Sequence, residues 1–316
     1  MASTRAICRA NLDLFPAGLT AQGDQRRSPP VDPVGLPIVV TAGRSFALRV
    51  TIPFFWVDAF AEKPFAGNPA AVCPLESWLD DALLQRMAWQ HGLSETAFVV
   101  QTGPARFHLR WFTPTVEVDL CGHATLATAH VMFNERKLSV DELTFDSRSG
   151  PLVVRKAEAG RIELNFPSTP PEADTDPELA RELSAALGVA PSWIGRNRFD
   201  KLVLLTDPAA VRALRPDFSR LAAIRSRGVI VTAQGDDGCD FISRFFAPQS
   251  GVPEDPVTGS AHCALIPFWA ARLGRNSLHA RQVSARGGEL WCRLAGDRVT
   301  MAGHATTYLS GAVTPV

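Results

Sequence analysis

The stretch "RWFTPTVEVDLCGHA" runs from Arg110 to Ala124, and a similar stretch, "RFFAPQSGVPEDPVTGSA", runs from Arg244 to Ala261. Each begins with arginine, two aromatic residues, a small residue and proline, and each has a glutamate ahead of a Gly-polar-Ala triplet. The match predicts an internal repeat. The alternative is two unrelated strand–turn–helix units that both need glycine at the turn.

A small-residue helix is expected after the glycine of each copy. With Gly122 aligned to Gly259, His123 corresponds to Ser260. If the repeat is real, two similar halves face each other and the two helix N-termini meet in one cleft. Free N–H groups and about half a positive charge at each helix end form a cradle for an anion. A small carboxylate is therefore the expected ligand, with His123 and Ser260 in hydrogen-bonding reach.

The order of elements predicts an α+β fold of two domains, 51–167 and 168–316, with the last strands packing back on the first domain. The boundary is the Pro-rich, acidic stretch "STPPEADTDPE". In the first domain, Gly67 and Asn68 are expected in a turn, and Ser77 is expected to cap a helix. Residues 1–50 are expected to be a flexible extension or to follow from a start codon assigned too early. Organelle targeting by this segment is the alternative.

Composition excludes several classes of function. The 316 residues include 32 basic and 32 acidic side chains without a basic stripe, so no nucleic acid partner is expected. No apolar run reaches the length of about 18 residues that a membrane helix needs. Six scattered cysteines without a zinc spacing are typical of free thiols in a reducing compartment, which favours a cytoplasmic protein without a metal. Dinucleotide and P-loop signatures are missing, so no cofactor is expected.

Candidate acid–base residues flank the repeat. Glu95 in "GLSETAFVV" is either a solvated turn residue or a partly buried general acid and base. Asp255 either favours a helix start or orients a substrate. Cys121 is either a thiolate, because a helix N-terminus lowers the pKa of a thiol, or a small buried residue. His262 is expected to be structural.

Motifs in both halves resemble the phenazine-biosynthesis F (PhzF-like) family, and most of all its PBLD-type homologues. The matching stretches are "DAFAEKPFAGNPAAV", "LSETAF", "LRWFTP", "CGHATLA", "SRFFAP" and "EDPVTGSAH". The resemblance implies a diaminopimelate-epimerase-like fold, two similar domains related by pseudo-two-fold symmetry around a cleft, and a homodimer. It also implies an isomerase in which Glu95 moves a proton between carbons of a small carboxylate, without metal or cofactor. His123, Asp255 and Ser260, with the backbone at Gly122 and Gly259, would hold the substrate.

Related epimerases and racemases use two opposed cysteines. Cys121 fits one of these positions, but Thr258 occupies the other, and a hydroxyl is too weak an acid to replace a thiol. A single-base isomerase is therefore the first prediction. The alternatives are an epimerase or racemase of the same fold, and a binding protein without turnover. Asp119 departs from the family pattern, where proline is expected, and either adds charge near the cradle or faces solvent.

Overall fold

The structure, a computed structural model, describes residues 51–315. The expectations about residues 1–50 lie outside this range. None of the helices within it is long and apolar enough to cross a membrane.

Both halves alternate strands with a few helices. The elements of the first half are β1 Ile52–Ala59, β2 Asn68–Leu75, α1 Asp81–His91, β3 Glu95–Gly103, β4 Arg106–Phe112, β5 Glu117–Val118, α2 Gly122–His130, β6 Glu142–Ser147, β7 Gly150–Lys156 and β8 Ile162–Pro167. Those of the second half are β9 Glu172–Ala173, α3 Pro177–Leu187, β10 Trp193–Arg196, β11 Asp200–Leu204, α4 Pro208–Ala213, α5 Phe218–Ala223, β12 Gly228–Gln234, β13 Phe241–Ala247, β14 Val252–Asp255, α6 Gly259–Leu273, β15 Ser277–Gln282, β16 Gly288–Ala295, β17 Arg298–Gly303 and β18 Ala305–Val313.

Strand pairing repeats from one half to the other. In the first half, β1–β2 is antiparallel, β2–β3 parallel, β3–β4 antiparallel and β4–β6 parallel. The second half has the same series in β10–β11, β11–β12, β12–β13 and β13–β15. β8 pairs with β17 and β18 pairs with β1 between the halves, while β9 pairs with β10 within the second half. The fold is therefore α+β and diaminopimelate-epimerase-like, with pseudo-two-fold symmetry. The domain boundary at residues 167 and 168 follows β8 and stays a prediction.

Two helices with apolar residues on all sides form the centre of the molecule. Eight of the nine residues of α2 are buried, from His123 to His130, and α6 buries eleven of its fifteen residues. A helix without a polar face must be covered on every side, so each of these helices packs inside the fold. The main apolar cluster includes residues of both helices and of strands from both halves. This packing fixes where the N-termini of α2 and α6 lie.

Local chemistry explains most element ends and corrects three expectations. Asp80, not Ser77, is the N-cap of α1, because its carboxylate accepts the N–H of Ala82 at 3.0 Å. Asn68 does not lie in a turn but begins β2. The stretch "CGHATLATAHVMFNERK" predicts a helix up to Lys137, but α2 ends at His130 and residues 131–135 form one π-helical turn.

Candidate active site

The N-termini of α2 and α6 meet at their glycines. A methyl group placed on Gly122 would lie 3.6 Å from the Cα atom of Gly259. The N-cap residues, Cys121 and Thr258, make no side-chain hydrogen bond to the first turn of either helix. The first N–H groups of both helices are therefore left for a ligand, and the two positive helix ends add at the same place.

Matching arginine–glutamate pairs hold the strands that lead into both helices. The guanidinium of Arg110 donates two hydrogen bonds to Glu117, at 2.7 and 2.8 Å. The guanidinium of Arg244 donates two to Glu254 at the same distances. In both pairs the arginine lies on the longer strand, β4 or β13, and the glutamate on the short strand, β5 or β14. The repeat seen in the sequence is thus present in side-chain contacts.

Glu95 and His123 form the contact at which proton chemistry can occur. Glu95 is the first residue of β3, and its Oε2 atom lies 3.1 Å from Nε2 of His123. The side chains are 18% and 6% exposed, so the pair is shielded but open to a small ligand on the Glu95 side. Both atoms are buried and make no well-aligned hydrogen bond within the described residues. The contact is therefore an ion pair whose carboxylate is not committed to another donor.

Opposing effects act on His123. Burial lowers the pKa of the imidazole, but the adjacent Cys121 and Glu95 raise it, and the net pKa lies well above 6.5. Burial raises the pKa of the Cys121 thiol to about 11, so this cysteine keeps its proton at neutral pH. Of the two alternatives for Cys121, the structure supports the small buried thiol.

Asn68 is a site residue that sequence reasoning missed. Its Nδ2 atom donates to Oδ1 of Asp255 at 2.8 Å and to the carbonyl of Val257 at 2.9 Å. It also lies 3.2 Å from Nδ1 of His123. An amide nitrogen has two hydrogens, and the two shorter contacts use them. Asn68 therefore connects the two halves of the site. Its only signal was its place in "GNP", within a motif that carried the resemblance.

Asp255 and Thr258 form the side of the site that the second half provides. The hydroxyl of Thr258 donates to Oδ2 of Asp255 at 2.5 Å. Gln282, which sequence reasoning also missed, donates to the carbonyl of Asp255 at 2.7 Å and accepts the N–H of Thr258 at 2.8 Å. Burial raises the pKa of Asp255. Gln282 carries no sequence signal that distinguishes it from other strand residues.

Of the remaining candidates, Ser260 is placed to contact a ligand, whereas His262 and Asp119 are not. Ser260 is half-buried in the first turn of α6 and makes no side-chain hydrogen bond to another described residue, so its hydroxyl is free for a ligand. His262 is buried, faces the carbonyl of Thr258 at 2.8 Å and has a pKa lowered to about 4 by burial, which fits the structural role expected of it. Asp119 is exposed and faces solvent, which was the second of the two alternatives for this residue.

The second half has no counterpart of Glu95. β12 is the topological equivalent of β3, and it begins at Gly228. A methyl group on Gly228 would lie 2.3 Å from the ring of Phe245, which fills the space where a longer side chain would extend. A carboxylate at this strand position therefore exists in the first half alone.

Donor atoms of Glu95, Cys121 and His123 lie within 4.8 Å of one another, which makes them a candidate metal site. However, the imidazole presents Nδ1 to the thiol at 3.5 Å and Nε2 to the carboxylate at 3.1 Å. A single metal ion cannot use both contacts, because the ring lies between the other two donors. The arrangement suits proton transfer better than metal binding.

Comparison with known proteins agrees with this architecture. The family model for phenazine biosynthesis-like proteins, PhzC-PhzF, matches residues 57–311. An uncharacterised isomerase of Pseudomonas aeruginosa is 55% identical over 262 residues, which are 83% of this chain and 98% of that protein. The phenazine biosynthesis-like domain-containing protein 2 of Mus musculus is 42% identical over 286 residues, which cover 83% of this chain and 99% of that protein.

A solved structure is also similar. The crystal structure of a phenazine biosynthesis protein of the PhzF family from Enterococcus faecalis has a TM-score of 0.79 and 47% identity, and the match covers 84% of this chain and 99% of that chain. Fold and repeat define the class of epimerase-like proteins built from two similar halves, in which two helix N-termini meet at their glycines. Within this class, the chain belongs to the PhzC-PhzF family of phenazine biosynthesis-like proteins. The resemblance seen in the motifs is confirmed.

Proposed function

We propose that this protein is a cofactor-independent isomerase of a small carboxylate, in which Glu95 is the single acid and base. The observation that carries the proposal is the position of Glu95, whose uncommitted, partly buried carboxylate lies 3.1 Å from His123 beside the paired helix N-termini. A carboxylate so placed can remove a proton from a carbon and return it to another carbon of the same molecule. The isomerase name of the Pseudomonas relative supports this class of reaction.

Binding and proton transfer use different parts of the site. The N–H groups at Gly122 and Gly259 hold the substrate carboxylate, where two helix ends favour negative charge. The negative charge that forms when the proton leaves develops near the same donors and near His123, and pre-organised donors stabilise it. Asp255 and Ser260 orient polar groups of the substrate. Cys121 and Thr258 complete the walls of the site.

An epimerase with two opposed acids is the competing function. It needs a second group that can give a proton from the opposite face. Thr258 stands at that position, and its hydroxyl already donates to Asp255. A threonine hydroxyl is a far weaker acid than a thiol, and Gly228 supplies no carboxylate. These two positions favour isomerisation by one base.

Proton NMR in D2O tests the proposed function. The protein is incubated with a panel of small cyclic and β,γ-unsaturated carboxylates, including a dihydro-hydroxyanthranilate. We expect a shifted double bond and carbon-bound deuterium in the product, with the configuration of other centres unchanged. Inversion at a single carbon without a double-bond shift would instead establish an epimerase. Binding of a panel member without exchange of any carbon-bound proton would favour the binding protein.

A further inference from the structure

A loop of the second half, residues 283–287, connects the two sides of the candidate site, and we call it the bridging loop. It joins β15 to β16. On one side, the hydroxyl of Ser284 donates to the carbonyl of Pro256 at 2.8 Å, next to Asp255. On the other side, the carbonyl of Gly287 accepts the N–H of Gly67 at 2.7 Å. The loop therefore contacts the segments that carry Asp255 and Asn68.

Arg286 is the residue of the bridging loop that reaches furthest into the first half. Its Nε atom donates to the carbonyl of Gly67 at 2.8 Å, and Nη2 donates to the carbonyl of Ala66 at 2.9 Å. Nη2 also donates to Oδ1 of Asp58 at 2.7 Å. Asp58 is fully buried, and its other oxygen accepts the N–H of Phe65 at 2.9 Å. One guanidinium and one carboxylate thus hold the whole turn before Asn68.

The segment held by Arg286 does not adopt its shape without support. Phe60 and Phe65 have φ angles of 62° and 73°, in the left-handed region that side chains rarely occupy. Gly67 has a φ of 66°, and a methyl group there would lie 2.2 Å from the carbonyl oxygen of Ala59. Backbone in such conformations persists only where surrounding contacts determine it. The hydrogen bonds of Arg286 and Asp58 hold the backbone in this conformation.

The position of this segment decides the position of Asn68. Gly67 is covalently bonded to Asn68, whose amide binds Asp255 at 2.8 Å and lies 3.2 Å from Nδ1 of His123. A shift of Gly67 moves the amide away from both groups together. Arg286 thus acts on the site through Asn68, because its guanidinium touches neither His123 nor Asp255 within the described residues.

We propose that Arg286 is a positioning residue, which fixes Asn68 and thereby the spacing between His123 of the first half and Asp255 of the second half. The catalytic consequence rests on the isomerase function proposed above. The spacing itself does not, because it is a property of the folded protein without substrate.

The test compares Arg286→Gln and Arg286→Lys with Arg281→Gln as the matched control. Arg281 precedes the bridging loop and pairs with Glu289 at 2.6 Å, within the second half. The first readout is the ring NMR signal of His123, assigned with His123→Asn. In Arg286→Gln we expect altered chemical shifts of the His123 ring and a titration midpoint closer to 6.5. The reason is that Asn68 moves away from His123 and Asp255, and water enters between them. Arg286→Lys is expected to fall between wild type and Arg286→Gln, since lysine keeps the charge opposite Asp58 but not the forked contacts.

The second readout is turnover of the carboxylate found with the D2O panel. We expect kcat of Arg286→Gln to fall about a hundredfold with a smaller change in KM, because misplacement by about 1 Å costs this much in rate. If both Arg286 variants melt at a lower temperature but match Arg281→Gln in the His123 signal, Arg286 is only structural and the proposal is wrong. An altered His123 signal supports the proposal even if the wild-type protein turns over nothing, a result that would count against the isomerase alone.

Discussion

At the scale of single residues, two buried histidines behave in opposite ways. His123 lies beside the Glu95 carboxylate, which contributes to a pKa well above 6.5. Among residues 51–315, no carboxylate lies within reach of the His262 ring, and burial lowers its pKa to about 4. The difference comes from the partner and not from the helix, because both residues lie in the first turns of equivalent helices. The pKa values of the two buried histidines are therefore shifted in opposite directions.

The buried neutral histidine predicts a loss of stability in acid. Between about pH 6.5 and pH 4, His262 takes up a proton in the unfolded chain but not in the folded protein, so unfolding becomes more favourable as the pH falls. We expect His262 to lower the free energy of unfolding by about 3 kcal/mol between these pH values, at about 1.4 kcal/mol per pH unit. Urea unfolding of wild type and His262→Gln at several pH values measures it. Stability curves that stay parallel down to pH 4 would show that His262 does not titrate in this way.

Candidate site residues that lie in motifs could be predicted from the sequence, but the contacts that they make could not. Glu95, His123 and Asp255 came from motifs that resemble a family and from their places near helix starts. Asn68 was assigned to a turn because Gly-Asn-Pro is a common turn sequence. Its amide binds Asp255 across 187 residues of chain, and no local pattern reports such a contact.

Among the secondary-structure elements, the two helix N-termini form the cradle that we propose for the substrate carboxylate. Gly122→Ala adds a methyl group 3.6 Å from Gly259, which is ordinary contact distance, so the helix packing is expected to tolerate it. The same methyl group occupies the space between the helix ends where the carboxylate binds. We predict that affinity for the substrate falls about tenfold or more, or about 1.4 kcal/mol. Calorimetry with the active carboxylate measures this.

A glycine outside the site gives the control for that experiment. Gly103, at the end of β3, also has room for a methyl group, 3.4 Å from the side chain of Arg106. Gly103→Ala is expected to bind the carboxylate as wild type does. Equal affinities for the Gly122→Ala variant and wild type would show that the substrate lies elsewhere.

Loss of a buried ion pair is expected to lower the free energy of unfolding more than loss of an exposed ion pair. Arg244 is 8% exposed, so Glu254→Gln leaves its charge without a counter-charge in the interior. We predict a loss of about 3 kcal/mol in the free energy of unfolding. Asp146→Asn removes the partner of Arg106 in a pair that is 36% and 55% exposed, and we predict less than about 1 kcal/mol there. Denaturant unfolding compares the two; similar losses would mean that burial does not set the strength of these pairs.

At the scale of the whole molecule, the symmetry could be predicted and its details could not. The repeated order of arginine, glutamate and glycine, with an equal distance from Glu117 to Gly122 and from Glu254 to Gly259, predicted two equivalent halves. The pairing of β18 with β1 between the halves depends on hydrogen bonds between strands at opposite ends of the described residues. The bridging loop was invisible for the same reason, since Arg286 binds Asp58 across 228 residues.

We propose that the protein is a homodimer, as the family resemblance implied. β18 is nine residues long without a charged side chain, and within the described residues it pairs with β1 alone. Its exposed Tyr308 and Leu309 make it a template for a second copy. Light scattering after gel filtration is expected to give twice the mass of one chain, and Leu309→Lys is expected to lower it. A wild-type mass of one chain would overturn the proposal.

The rate of carbon-bound deuterium incorporation in D2O, compared between Glu95→Gln and Cys121→Ala, distinguishes a carboxylate base from a thiol base. Glu95→Gln keeps the shape of the side chain but removes its base. We predict a loss of at least about a hundredfold in Glu95→Gln, the size expected for a lost general base. We predict less than about a tenfold loss in Cys121→Ala, because the thiol keeps its proton at neutral pH. Exchange that survives in Glu95→Gln and disappears in Cys121→Ala would contradict the account and assign the proton transfer to the thiol.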